Sequence, residues 1–226
     1  MDHPRQILFT AFSVLALVAF SLAPMKEARA QEAPGAFYIG FSGGLNQSSF
    51  GNVTANSRQG YAAGVSFTYN FNEVFSGEFG VLHSRKGANG VTASAPNRPD
   101  AVDFEGDDIR LDYYHFPLLA KLTAPIEAVK IRAFAGPAFD FIRTAAINGQ
   151  KSRPDIQAQQ PAKERFRPFD VEAVLGGEIA IPVPSPVSEI AIDGRYHFGF
   201  LDVDAAQQFS MKQRTFTGTV SLRFEL

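Results

Sequence analysis

The residues of this sequence that are able to do acid–base chemistry are few and scattered. His83 and Ser84 are adjacent, and His197 follows Asp193 by a few positions. A serine hydrolase needs a serine within hydrogen-bond reach of a histidine that an acidic residue orients. No serine shares a strand pattern and a face with His197. We therefore predict no catalytic residues and a non-enzymatic protein, with a hydrolase as an alternative.

The same residues do not indicate a metal or cofactor site. The other two histidines, His3 and His115, do not cluster with them in the sequence, and the chain has no cysteine. Zinc is usually held by three or more Cys, His or acidic ligands that lie close together. We therefore predict no metal and no cofactor.

The N-terminal segment has the order of a secretory signal. Arg5 precedes an uncharged apolar run over residues 7–24, and Ala28-Arg29-Ala30 forms a small-x-small cleavage site. This order predicts a cleavable signal peptide at residues 1–30 and a single mature domain at residues 31–226. A membrane anchor that stays attached is the alternative, because the run is about long enough to span a bilayer.

From residue 31 onward, the dominant pattern is an alternation of apolar and polar residues, which is the period of a β-strand. The final segment, TFTGTVSLRFEL at Thr215–Leu226, shows it most clearly. Eight such segments occur, at residues 36–46, 60–71, 74–86, 107–122, 129–143, 168–182, 188–200 and 213–226. Short connections alternate with long polar ones, which lie at residues 47–58, 87–106, 144–167 and 201–212. The pattern predicts an all-β fold, an eight-stranded antiparallel up-and-down transmembrane β-barrel.

One segment changes phase. Ile109, Leu111 and Tyr113 occupy odd positions, whereas Leu118 and Leu122 occupy even ones. An extra residue in a β-bulge would bring both sets onto one face. We therefore predict a β-bulge at residues 113–115.

A sheet that spans a membrane must close, because lipid cannot satisfy the hydrogen bonds of a free edge. In such a barrel the apolar faces meet lipid and the polar faces line the interior. The predicted lipid-facing residues include Ile190, Ile192, Tyr196, Phe198, Phe216, Val220, Leu222 and Phe224. The predicted lumenal charge network consists of Glu78, Arg110, Asp112, Lys130, Arg132, Asp140, Asp170, Glu172, Glu178, Asp193, Arg195 and Arg223. An eight-stranded barrel is narrow enough for side chains to fill, so this mixture of signs favours an ion-paired plug over an open channel.

Three alternatives fit parts of the pattern. A narrow passive, porin-like channel requires an interior that conducts. A soluble lipocalin-like barrel would turn the apolar faces inward to bind a small ligand. A barrel enzyme that modifies lipid A would use His83, Ser84 or His197.

Several pieces of the chain carry a family resemblance in their order and spacing. They are GFSGGLN at 40–46, GYAAGVSFTYNFNEVFSGEFGVLHSRKGA at 60–88, LDYYHFPLLAKL at 111–122, AFAGPAFDF at 133–141, VLGGEIAI at 174–181, IDGRYHFGFLDV at 192–203 and the closing strand. The chain resembles the PorT-like outer membrane protein β-barrel domain family, common among Bacteroidota. The resemblance covers most of residues 31–226. It implies an eight-stranded barrel in the outer membrane of a Gram-negative bacterium, without catalytic residues.

The expected partners follow from this location. The predicted loop at residues 144–167 is basic, with Lys151, Arg153, Lys163, Arg165 and Arg167 against Asp155 and Glu164. Such a loop is able to contact anionic lipopolysaccharide, and a plain solvated loop is the alternative. We expect outer-membrane lipid, lipopolysaccharide and the barrel-assembly machinery as partners of a monomer that is exported through the periplasm. The net charge of −2 gives no sign of a nucleic-acid partner.

Overall fold

The computed structural model describes residues 34–93, 104–126, 129–148, 166–183, 186–205 and 210–226. They form eight β-strands: β1 (Phe37–Gly51), β2 (Thr54–Asn70), β3 (Phe75–Ala93), β4 (Phe104–Ile126), β5 (Val129–Ile147), β6 (Phe169–Pro182), β7 (Glu189–Asp202) and β8 (Lys212–Glu225). The predicted signal peptide lies outside the described residues. Within the described ranges, no helix has the length and apolar character needed to cross a membrane.

Each strand pairs antiparallel with the next one in the chain, and β1 also pairs with β8, which closes the barrel. The closing register runs from Tyr38 opposite Glu225 to Gly51 opposite Lys212. All backbone donors along the seam therefore find partners, as a spanning sheet requires. The predicted eight-stranded up-and-down barrel is confirmed.

The strands extend further than the sequence pattern indicates, mainly at one end. β1 and β2 are joined only by Asn52 and Val53, and Asn52 adopts a positive φ of 67°. The predicted long connection at residues 47–58 is therefore wrong, because most of it is strand. Parts of the other three predicted loops are also strand, and their middle sections lie outside the described residues.

We call the end where β1 begins and β8 ends the lower end, and the opposite end the upper end. The connection between β2 and β3 at the lower end is a tight turn. Its Asn72 side chain accepts hydrogen bonds from the backbone N–H groups of Val74 and Phe75, at 2.9 and 2.8 Å. This side-chain cap makes a short turn possible without a glycine.

The polarity of the two faces inverts along the barrel axis. In the lower segment the outer face is apolar, as at Phe41, Leu118 and Ile179, which are 51, 53 and 53% exposed. The inner face of that segment is polar and charged. In the upper segment the inner face carries a buried apolar cluster: Phe50, Ala88, Val91, Ala93, Phe104, Ile109, Leu111, Tyr113, Ile142, Ala145, Ile147, Phe166, Val203 and Met211.

This inversion explains the phase change along β4. Odd positions of β4 point inward over its whole length, from Ile109 at the upper end to Lys121 at the lower end. The predicted bulge in β4 is therefore wrong. The register does shift by one residue beside Asp112, but the extra residue is Arg143 on the neighbouring strand β5.

Candidate functional site

The interior of the lower segment is a network of ion pairs centred on Glu178. Its carboxylate lies 2.6 Å from Arg223 Nη1, 2.5 Å from Arg132 Nη1 and 3.0 Å from Lys121 Nζ. All four side chains are at least 95% buried. Four strands contribute these groups, so the network ties opposite walls of the barrel together.

Two further glutamates complete this lower ionic cluster. Glu189 accepts from Arg223 Nη1 at 2.6 Å and from Arg132 Nη2 at 2.8 Å. Glu78 lies 2.5 Å from Lys121 Nζ and 3.4 Å from Arg195 Nη2. Buried ions of this kind are tolerated only when each has a partner of opposite charge.

A small apolar layer lies next to the lower ionic cluster. It consists of Leu119, Phe134, Ala138 and Val174. The Phe134 ring covers Gly176, where an added Cβ would lie 2.5 Å from the ring. The Arg195 guanidinium is 5.2 Å from the same ring, within the range of a cation–π contact.

A second ionic cluster, which we call the histidine cluster, is centred on Lys86. Its ammonium donates to Asp140 at 2.6 Å and to Glu172 at 2.7 Å. His115 Nδ1 lies 2.6 Å from Asp140, and His197 Nδ1 lies 3.1 Å from Glu172. The two imidazole rings are 5.1 Å apart, so the expectation that the histidines do not cluster is wrong for this pair.

The upper apolar cluster closes the interior above the histidine cluster. Tyr113 joins the two, because it belongs to the apolar cluster and its ring lies 5.6 Å from the Lys86 ammonium. Phe104, Ile109 and Met211 in this cluster are at most 1% exposed. Side chains therefore fill the described interior from the lower ion pairs to the upper apolar cluster.

The outer face carries a group of arginines where the apolar surface ends. Arg85 donates to Asp112 at 2.6 Å, and Arg110 Nε lies 4.0 Å from the same carboxylate. The exposed Arg143 is the extra residue of the adjacent bulge. Arg85 also lies 5.0 Å from the Tyr61 ring, which is one of the outward aromatic residues expected at a membrane interface.

Most of the predicted lumenal charges point inward and are buried. They are Glu78, Lys130, Arg132, Asp140, Asp170, Glu172, Glu178, Asp193, Arg195 and Arg223. Arg110 and Asp112 instead lie on the outer face, because the neighbouring Ile109, Leu111 and Tyr113 are the inward residues. The lumenal assignment of Arg110 and Asp112 is therefore wrong.

The predicted lipid-facing residues lie on the outer face of β7 and β8. Each of them alternates with buried neighbours, and Phe216 and Leu222 are 52 and 41% exposed. The full set is Ile190, Ile192, Tyr196, Phe198, Phe216, Val220, Leu222 and Phe224. Tyr113 does not belong to an outer aromatic girdle, since it is 1% exposed and points inward, and Tyr114 takes the outward position.

Sequence reasoning did not assign several members of the two interior clusters. Lys86, His115, Lys121 and Glu189 each occupy an inward position of a strand. Strand parity gives a signal for Lys121, which shares the odd positions of β4 with His115. That signal was obscured because the apolar residues at the upper end of β4 have the same parity.

The alternative catalytic residues are not assembled into a triad. On β3, His83 points outward between Tyr61 and Tyr114, whereas the adjacent Ser84 points inward and accepts from Asn46. His197 has Glu172 and Thr217 as its ring partners. Neither histidine is therefore positioned as a base for Ser84.

Comparison with solved structures supports the fold at low sequence identity. A crystal structure of Neisserial surface protein A is 15% identical, with a TM-score of 0.52, over 85% of this chain and 99% of that one. Ail, the attachment invasion locus protein of Yersinia pestis, is also 15% identical, with a TM-score of 0.47, over 85% of this chain and 100% of that one. OprG from Pseudomonas aeruginosa is 10% identical, with a TM-score of 0.44, over 88% of this chain and 99% of that one.

A search of curated proteins gives no sequence match. A family profile does match, over residues 29–205, which is more than half of the chain. Its description, outer membrane protein beta-barrel domain, agrees with the closed sheet and the apolar outer face of the lower segment. The chain therefore belongs to the outer membrane protein β-barrel domain family.

Proposed function

We propose that this chain is a non-enzymatic, non-conducting outer-membrane barrel whose upper end serves as a binding platform. The filled interior carries this proposal. An open channel needs a continuous aqueous path, whereas the described interior contains two ion-paired clusters and the upper apolar cluster. Water and solutes would have to displace buried ion pairs, and each unpaired ion costs several kcal/mol.

We further infer that the chain is a PorT-like member of its family, exported through the periplasm of a Gram-negative bacterium of the Bacteroidota. The Ala-x-Ala site at residues 28–30 supports cleavage of a signal peptide. Short connections at the lower end support a periplasmic lower end and an external upper end. Insertion would then require the barrel-assembly machinery, and the inserted protein would be a monomer.

The binding role that the surface favours is contact with the anionic lipopolysaccharide of the outer leaflet. Arg85, Arg110 and Arg143 lie at the upper edge of the apolar surface, with Asp112 as the acidic residue among them. Arginine binds phosphate in a bidentate manner, and the phosphates of lipid A lie at this depth of the membrane. The basic loop at residues 144–167 begins directly after this group and adds further positive charge.

Two measurements test the closed barrel. After purification from outer membranes into detergent, the protein should migrate faster on a gel before boiling than after it, as a folded barrel does. In planar bilayers it should give no stable conductance steps. Regular conductance steps would overturn the sealed interior and favour the passive channel, and release of lipid A acyl chains by the protein would favour the enzyme.

A matched set of variants tests the lipid contact. Lipid A should bind to micelles of the native protein, and binding should fall about tenfold or more when Arg85, Arg110 and Arg143 are all changed to Gln. Arg214→Gln is the control, because Arg214 lies on β8 across the barrel, 5.4 Å from the Phe198 ring. Equal binding by the triple variant and the native protein would contradict the arginine site.

A further inference from the structure

The histidine cluster brings three potential metal ligands together inside the barrel. His115 on β4, Glu172 on β6 and His197 on β7 each offer a ligand atom, and these atoms lie within 4.8 Å of one another. All three residues are at most 4% exposed. They come from three strands, so the closed sheet itself fixes their spacing.

The donor set has the chemistry of a transition-metal site. Two imidazoles and one carboxylate are a common protein ligand set for Zn²⁺ and are also suited to Co²⁺, Ni²⁺ and Cu²⁺. Metal-binding histidines usually have a second ring partner that fixes their orientation. Here Asp140 lies 2.6 Å from His115 Nδ1, and Thr217 Oγ1 lies 3.3 Å from His197 Nε2.

The local charge also favours a divalent cation. Asp140 and Asp170 face each other directly across β5 and β6, and Glu172 follows on the same inward face. Lys86 is the ammonium that pairs with Asp140 and Glu172. With neutral imidazoles, these three carboxylates and one ammonium leave two negative charges in a buried space, which is costly without a counterion.

A polar atom beside the cluster is independent evidence for a ligand. Asp170 Oδ2 is buried and has no hydrogen-bond partner among the described residues. The other oxygen, Oδ1, accepts from the backbone N–H of Val171 at 2.7 Å. An orphaned carboxylate oxygen of this kind calls for an ion, a proton or a water as its partner.

We propose that His115, Glu172 and His197 bind one divalent transition-metal ion inside the barrel, with Asp140 orienting His115. Lys86 shares the Glu172 carboxylate with this ion, at 2.7 and 2.8 Å from its two oxygens. The ammonium therefore weakens binding by repulsion and by competition. The site is independent of the sealed interior and of the lipid contact proposed above.

Co²⁺ is the appropriate probe, because Zn²⁺ has a filled d shell and gives no absorption band. The protein, purified from outer membranes into detergent micelles and stripped with a chelator, is titrated with Co²⁺ alone. We expect visible d–d absorption that saturates at one Co²⁺ per chain. In ¹⁵N-histidine spectra of the same unmutated protein, Co²⁺ should shift or broaden His115 and His197 but not His83, which points outward. No binding, or effects confined to His83, would overturn the proposal.

The variants distinguish ligands from neighbours. His115→Gln and His197→Gln should abolish the d–d band, and Asp140→Asn should weaken binding about 10- to 100-fold, as the loss of an orienting partner does. His83→Gln is the matched control and should bind like the native protein. Lys86→Met should bind Co²⁺ more tightly, an outcome that a purely structural ion-pair cluster does not predict. Unchanged affinity in both ligand variants, with folding verified by the gel shift on boiling, would refute the site.

Discussion

The lower and upper segments of this barrel solve the same folding problem with opposite polarities. In the lower segment, ion pairs such as Arg223–Glu178 fill the interior and apolar residues such as Leu118 face outward. In the upper segment, residues such as Ile109 and Leu111 fill the interior and the outer face carries charges such as Arg110. The same strand, β4, passes through both.

The difference follows from what lies outside the sheet. Where lipid surrounds the barrel, an apolar side chain gains little by turning inward, since lipid is as apolar as a protein core. Polar side chains must then be inside, where they pair with one another. Where water surrounds the barrel, the hydrophobic effect favours the usual apolar core. The inversion along β4 therefore marks the depth at which the outer solvent changes.

The largest effect is expected from breaking the lower ionic cluster. Glu178→Gln removes the carboxylate that Arg223, Arg132 and Lys121 share, and it leaves buried positive charge uncompensated. The free energy of unfolding, measured by urea denaturation in micelles, should fall by about 3–5 kcal/mol. Glu225→Gln is the control, because Glu225 is exposed at the end of β8.

A compensating change sharpens this test. Arg223→Met in addition to Glu178→Gln removes one of the stranded cations and should restore part of the lost stability. A double variant that is less stable than the sum of both single changes would contradict the view that uncompensated charge is what costs stability in the lower cluster.

The next effect tests the outer face of the same strand. Leu118 lies midway along the outward apolar positions of β4 and is 53% exposed. Leu118→Lys places an ammonium in the lipid and should cost about 2–4 kcal/mol in a bilayer. Glu105→Lys, at an exposed position of the upper segment, should change stability by less than about 0.5 kcal/mol. Equal costs at both positions would contradict a change of solvent between them.

The strand pattern was sufficient to predict the lower segment, because apolar and charged residues alternate there with period two. The class of fold, the number of strands and most inward charges follow from that alternation. The upper segment was less predictable for a physical reason. An inverted strand has the same period as a normal one, so Ile109 and Leu111 were assigned to the lipid face together with Leu118.

The histidine cluster illustrates a second limit. His115 and His197 lie on different strands, β4 and β7, and their proximity depends on the register of four strand pairs across the closed barrel. No spacing in the sequence encodes that distance. The parity of His197 was readable, whereas that of His115 was masked by the apparent phase change beside it.

A smaller effect compares packing inside the upper segment with packing against lipid. Ile109 is fully buried in the upper apolar cluster, whereas Ile131 is 42% exposed on the lower outer face. Ile109→Val leaves a small cavity and should lower the free energy of unfolding by about 0.5–1.5 kcal/mol. Ile131→Val should cost less, since lipid chains fill the space. The reverse order in urea titrations would mean that the upper cluster is loosely packed.

The smallest effect locates the boundary between the two segments. Arg85 and Asp112 form an ion pair at 2.6 Å on the outer face, and Asp112 also accepts from Thr144 Oγ1 at 2.9 Å. If water reaches this pair, Arg85→Gln should cost at most about 1 kcal/mol, and high salt should reduce the difference. The measurement is the same urea titration, carried out without lipopolysaccharide at low and high salt. A salt-independent loss of several kcal/mol would instead mean that Asp112 is left unpaired in hydrocarbon, and the boundary would then lie above Asp112, nearer to the upper end of β4.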